Sequence, residues 1–404
     1  MITLLGLAFL SLVAANPVII DRSPVTLPVA LKLNATGVKN IVERDVARAK
    51  ALYAMGKGNR LQKRHDFHTK IENQMFYYLA EVGIGNPPTT YQLIVDTASS
   101  NTWIGNGRSY VITPTSRPTG SEVGVSYGSA QFIGNQVLDQ LILAPGKVIA
   151  NQSIGVATDS VGISASDGIL GLGPVGLTLG TLFPAVDETI PTVVDNLFTQ
   201  GTIDAHQVSV TFSPSNQISN VNGEITWGGI NRDKIAGPVG FTPLTTASPS
   251  NAFWGFDQTI RYGTSTPILS QTAGIVDAST TLILISSDAF TRYRNATGAV
   301  LDFNTGLLRI TPAQFANLQS MFFTINGVTY EFTANAQIWP RALNEVIGGL
   351  PSFIYLITAS IGAPTGQGLD FVNGFVFVQR FYTVLDTAGQ VGFAETRDTR
   401  STVN

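Results

Sequence analysis

The 404-residue chain contains no cysteine and only three histidines. The first absence excludes disulfides, thiolate-ligated zinc, iron–sulfur clusters and a thiol nucleophile. The second leaves little for histidine-based metal sites or triads, and no metal or cofactor is expected. Charged residues make up only 13% of the chain, against a usual quarter. Beyond the first residues no apolar run reaches 18, and the last eight residues are polar, so neither a membrane span nor a lipid-anchor tail is expected. No basic, aromatic-studded face suggests nucleic acid as a partner. What is plentiful is glycine, 40 residues, and runs of Ser and Thr. That profile points to a β-rich extracellular protein, long enough for two or three domains or one large two-lobed unit.

The ends of the chain differ from its body. Ile2 to Ala15 is uncharged and apolar and closes on Val13-Ala14-Ala15. It is too short to span a membrane but suits a signal peptide, 1–15, ending in small residues. Residues 16–64 hold ten basic and three acidic residues, a net of +7. Within them Val42 to Met55, rich in Ala, Lys, Arg and Glu, predicts a helix. The segment ends at Lys63-Arg64, a dibasic pair placed for processing. Residues 65–404 carry 14 basic and 24 acidic residues, a net of −10. A removable basic piece over an acidic body is the charge arrangement of a zymogen.

The body reads as strands between turns: Phe76 to Ile84, Tyr91 to Val95, Gln207 to Phe212 and Gly223 to Trp227, with a turn at 85–88. Short helices are expected at 191–198, 287–293 and 311–318, the last with Thr311 as cap and Pro312 in its first turn. The fold class is therefore all-β, with short helices.

One pattern occurs twice. Ile94-Val95-Asp96-Thr97-Ala98-Ser99-Ser100 recurs as Ile275-Val276-Asp277-Ala278-Ser279-Thr280-Thr281, and an apolar stretch follows each. Two similar lobes, each delivering one aspartate from a buried strand end, would bring two carboxylates face to face about a pseudo-twofold axis. Close carboxylates cannot both ionise easily, so they share a proton. The ionised member can then take a proton from water while the protonated one donates to a carbonyl oxygen. Amide hydrolysis in acid follows without metal or histidine. Hydroxyls three and four residues past each aspartate can hold its outer oxygen.

These residues resemble the two signature loops of the pepsin-like aspartic proteases, nearest to their secreted fungal, polyporopepsin-like members. The similarity extends over essentially all of 65–404. Tyr78 to Pro88 resembles the family's first strand and turn. Val125-Ser126-Tyr127-Gly128-Ser129 resembles its flap, which implies that Tyr127 and Gly128 cover substrate and that Trp103 hydrogen-bonds Tyr127. Asp167 to Gly173, with Ile169, resembles the stretch behind the first aspartate, and Phe371 to Gly374 with Arg380 to Asp386 resembles the closing segment of the second lobe. The resemblance implies a bilobal fold, lobes at 65–240 and 241–404, and catalytic Asp96 and Asp277 supported by Thr97, Ser99 and Thr280. It further implies a secreted, monomeric enzyme acting on polypeptides and inhibited by its own propeptide. Lys32, Lys39 and Lys50 are candidates for a propeptide lysine that pairs with the dyad.

The pattern departs at its most sensitive point. Ala98 and Ser279 stand where the family has Gly, and Ala278 where it has Thr or Ser. A Cβ adds bulk where backbone runs close, and Ala278 lacks one hydroxyl of the reciprocal link between the loops. The alternative reading is thus a weakened or inactive homologue that binds peptides. Gly171 to Gly176 matches a dinucleotide fingerprint only formally, without the strand–helix–strand unit and with a proline inside. His206, the histidine remaining for a serine triad, is expected in a surface loop. Asn34, Asn151 and Asn295 begin glycosylation sequons.

Overall fold

The computed structural model describes residues 24–33, 41–58, 76–127, 130–163 and 166–403. The apolar start, Asn34, Lys39, Lys63-Arg64, and Gly128 and Ser129 of the flap lie outside them. The expected strands all form, as β2 (Phe76–Ile84), β3 (Thr89–Asp96), Gln207–Phe212 and Ser219–Trp227. The expected helices form at Val193–Thr199, Ser287–Thr297 and Pro312–Phe315. Thr311 caps the last of these as read. The first is capped by Thr192 in a reciprocal bond with Asp195 rather than starting at Pro191.

Each aspartate ends a strand built the same way. β3 and β2 form an antiparallel pair, and the strand Gly168–Gly171 runs parallel to β3 with Asp96 opposite Gly171. In the second half Thr266–Val276 leads to Asp277, and Phe371–Asn373 runs parallel to it with Val276 opposite Asn373. A strand flanked this closely is buried on both faces, which is why Leu93 to Asp96 and Ala273 to Asp277 abandon the usual alternation. Glycine is required where neighbours cross. A Cβ on Gly168 would stand 1.9 Å from the Trp103 carbonyl oxygen, and one on Gly374 2.2 Å from that of Leu282.

One sheet joins the two halves. Gln207–Phe212 pairs with Phe381–Asp386, so the chain's late strands return to the sheet that holds β2 and β3. In its middle, between Ser219–Trp227 and β2, lies β1 (Val25–Leu33), from the basic segment. Sequence reading passed over this strand although Val25, Leu27, Val29 and Leu31 alternate, and all four are buried. The basic helix α1 (Ile41–Gly56) follows the expected span closely. Its buried stripe is Ile41, Asp45, Ala49 and Leu52, so a carboxylate sits in the middle of an otherwise apolar face. Among the described residues no helix is long and apolar enough to cross a membrane.

Candidate active site

The turns after β3 and after Thr266–Val276 meet with both carboxylates fully buried. Asp96 accepts hydrogen bonds from the Ala98 amide (2.9 Å) and the Ser99 hydroxyl (2.8 Å). Asp277 accepts the matching pair from the Ser279 amide (3.0 Å) and the Thr280 hydroxyl (2.6 Å). The substituted positions therefore keep these bonds, and the Cβ atoms of Ala98 and Ala278 are packed into the core.

The link between the turns is one-sided. Thr97 Oγ1 accepts from the Ala278 amide at 2.9 Å and donates to the Val276 carbonyl at 3.4 Å. Ala278 has no hydroxyl to return.

A third group sits between the carboxylates, and it is not a lysine. Arg48 of α1 donates from Nη2 to Asp96 Oδ1 (2.7 Å) and Asp277 Oδ1 (3.1 Å), and from Nε to Asp277 Oδ2 (2.6 Å). Lys32 lies in β1, Lys50 is exposed on α1, and Lys39 is outside the described residues. A guanidinium fits because its planar fork meets both oxygens of Asp277 while bridging to Asp96, whereas an ammonium is a point charge. The signal available in the sequence was Arg44-Asp45-x-x-Arg48 on the predicted helix, which sets both arginines on one face.

Two further contacts fix α1. Asp45 accepts from the backbone amides of Thr281 (3.0 Å) and Leu282 (2.8 Å), just past the second aspartate turn. Arg44 donates to the Ser279 carbonyl (2.8 Å) and lies over the Tyr77 ring, 5.1 Å from its centroid.

Burial acts on all three carboxyl groups here, yet with different outcomes. It raises Asp96 above the ordinary carboxylate range despite the Arg48 charge. At Asp277 burial also pushes up, but Arg48's charge and hydrogen bonds, joined by those of Thr280 and Ser279, outweigh it and leave the group lowered. Burial raises Asp45 to about 6, against the attraction of Arg44 and the two amides.

Tyr127 follows the strand Arg117–Ser126 and is buried against the cleft, its phenol raised by burial and so neutral. Trp103 Nε1 donates to its hydroxyl at 3.0 Å, and Phe132 stacks on Trp103 at 4.4 Å. Ile169, Tyr77 and Ile94 pack in the same cluster. The segment Gly171–Gly176 forms the back of the first turn: Leu172 N donates to the Asp96 carbonyl (2.7 Å) and Gly173 N to that of Ser99 (2.8 Å). His206 is more engaged than a surface loop suggested. It pairs with Asp195 at 2.7 Å and stacks on Phe198 at 4.7 Å, because the cap of the Val193–Thr199 helix brings that carboxylate to it. Asn151 and Asn295 are both exposed.

Comparison with known proteins gives a consistent picture. The family model described as eukaryotic aspartyl protease matches residues 77–396. Polyporopepsin of Irpex lacteus is 55% identical over 333 residues, covering 82% of this chain and 98% of that protein. Cathepsin E of Oryctolagus cuniculus is 28% identical over 338 residues, 78% of this chain and 80% of its own. Among solved structures, the aspartic proteinase from Irpex lacteus superimposes with a TM-score of 0.81 at 47% identity, over 95% of this chain and 100% of that one.

Proposed function

Because the chain belongs to the eukaryotic aspartyl protease family of pepsin-like peptide hydrolases, we propose that Asp96 and Asp277 are its catalytic dyad and that residues 16–64 hold it latent. Once α1 leaves, the two carboxylates face one another without a cation and share a proton. The ionised member takes a proton from the attacking water while the protonated one donates to the scissile carbonyl oxygen. Ser99 and Thr280 hold the outer carboxylate oxygens, Thr97 keeps the turns in register, and Tyr127, positioned by Trp103, closes with Gly128 over the substrate. Ile169 lines the cleft beneath. The substrate is an extended polypeptide that adds its backbone to the cleft as a strand.

The observation that carries this reading is Arg48. Its guanidinium bonds three of the four carboxylate oxygens of two buried aspartates, and a cation so placed by the chain itself supports a latent form. The reading includes a signal peptide at 1–15, processing after Lys63-Arg64, a secreted, monomeric product and glycans on Asn34, Asn151 and Asn295.

The test is cleavage of denatured haemoglobin or casein at acid pH by the secreted, processed protein, with and without pepstatin. Pepstatin-sensitive cleavage is expected. Its absence from properly processed protein would favour the second reading, a peptide-binding homologue, which the missing Ala278 hydroxyl motivates.

A further inference from the structure

Trp254 is fully enclosed and takes no part in the chemistry described above. It precedes the strand Gly255–Tyr262, which pairs with the strand leading to Asp277. Its backbone carbonyl accepts a hydrogen bond from Val276 N at 3.3 Å, one residue before Asp277. Its indole Nε1 donates to the Leu172 carbonyl at 2.8 Å, 82 residues away in the other half of the chain. Leu172 in turn donates its amide to the carbonyl of Asp96 at 2.7 Å.

We propose that Trp254 is a positioning residue for the endopeptidase reaction, a strut that sets the spacing of the two aspartates. Val276, Trp254, Leu172 and Asp96 form one line of hydrogen bonds between the backbones of the two aspartate strands. All four residues are buried, so bulk water does not replace a missing partner. The strut matters more here than in a molecule with a complete link between the turns. Thr97 crosses between the turns, Ala278 returns nothing, and the Trp254 indole crosses behind them. Like-charge coupling falls with distance, so a strut that sets carboxylate spacing also sets how far apart the two proton affinities of the dyad lie.

This inference rests on the dyad reading, and its test separates the two. Trp254→Phe removes the N–H and keeps an aromatic ring. Replacement of Trp254 by benzothienylalanine keeps the ring volume and exchanges N–H for sulfur, covering the case in which the phenylalanine variant folds poorly. Trp227→Phe is the control: Trp227 is also buried, and its indole nitrogen has no hydrogen-bond partner among the described residues. Each variant is made in the full chain and assayed after acid processing. Loss of the N–H at position 254 should lower kcat about tenfold, with KM within about twofold, since displacement of a reacting group by ~1 Å costs on the order of 100-fold. The bell-shaped pH profile should narrow from both sides as the carboxylates uncouple. Carbon-13 titration of labelled aspartates reads the same narrowing without turnover, so the measurement stands even if the wild type cleaves nothing. An unchanged titration gap in both Trp254 variants, or an equal change in Trp227→Phe, would overturn the assignment.

Discussion

Asp96 and Asp277 each end a buried strand with a parallel neighbour behind it, and each accepts one amide and one hydroxyl, yet the turns that follow are not equivalent. The first turn contributes Thr97, whose hydroxyl makes two bonds to the second half, from the Ala278 amide and to the Val276 carbonyl, whereas Ala278 has no hydroxyl to return. The second turn instead receives most of α1: two of the three Arg48 contacts, both amide bonds of Asp45 and the Arg44 contact to Ser279. The turn that extends no hydroxyl across the link is the one that α1 holds. Asp277 is accordingly the carboxyl that is lowered and Asp96 the one that is raised.

The severest way to break this comparison is to neutralise one aspartate at a time. Asp277→Asn and Asp96→Asn should each reduce acid proteolysis by about a thousandfold or more, since a dyad has no spare member. Measurable pepstatin-sensitive activity in either variant would show that the turns do not work as a pair.

Next in size is Arg48→Ala, which leaves two buried carboxylates without their cation. Breaking such a pair costs about 3–5 kcal/mol, so latency of the full chain should fall by a factor of about a hundred or more. Activity of unprocessed protein toward a peptide substrate at about pH 5, acid enough for the dyad and within the latent window, reads this directly. Arg48→Lys should lie between, since it keeps charge and loses the fork.

The pH dependence of latency has two opposed parts. Asp277 is lowered by docking, so its contribution is complete above the ordinary carboxylate range and is lost as pH falls through its depressed value. Asp45 is raised from 3.8 to about 6, so α1 takes up a proton on docking, and acidification across that window favours the docked state. The full chain should therefore stay latent between pH 6 and about 4 and open only below. Complete activation at pH 5.5 in a time course of processing would contradict this.

Thr97→Val probes the link itself. It strands a buried amide at Ala278, a loss of about 1–3 kcal/mol, visible as a lower Tm and a slower kcat. The reverse experiment, Ala98→Gly with Ala278→Thr and Ser279→Gly, rebuilds the family pattern. It should raise kcat several-fold, with the restored hydrogen bond contributing roughly 0.5–1.5 kcal/mol. No gain would mean that Thr97 and its surroundings already hold the turns in place.

Much of this site was legible because it is written twice. The Ile-Val-Asp repeat located both aspartates, alternating β-branched runs located the strands, and composition located α1. Arg48 does not follow from expecting a lysine at the dyad, although Arg44 and Arg48 at i and i+4 share one face of the predicted helix. Asp45 could not be found by type, since its burial depends on the stripe between Ile41 and Ala49 meeting two free amides. Trp254 left no local signal at all, because its partner lies 82 residues away and only the packed fold brings them together.

β1 bears on how the proposed latency would end. This strand of the basic segment is laced on both edges, to Ser219–Trp227 on one side and to β2 on the other. Cutting the chain between α1 and β2 severs a covalent bond but leaves both ladders intact, so a nicked molecule is a two-chain complex rather than a freed enzyme. Its lifetime is a dissociation rate, set by main-chain hydrogen bonds and by Val25, Leu27, Val29 and Leu31 in the core. Departure of β1 uncovers two unpaired strand edges in the centre of the sheet, surfaces on which another chain can pair. Removal of residues 16–64, as proposed, would thus carry a concentration-dependent hazard that an assay of bond cleavage alone would not register.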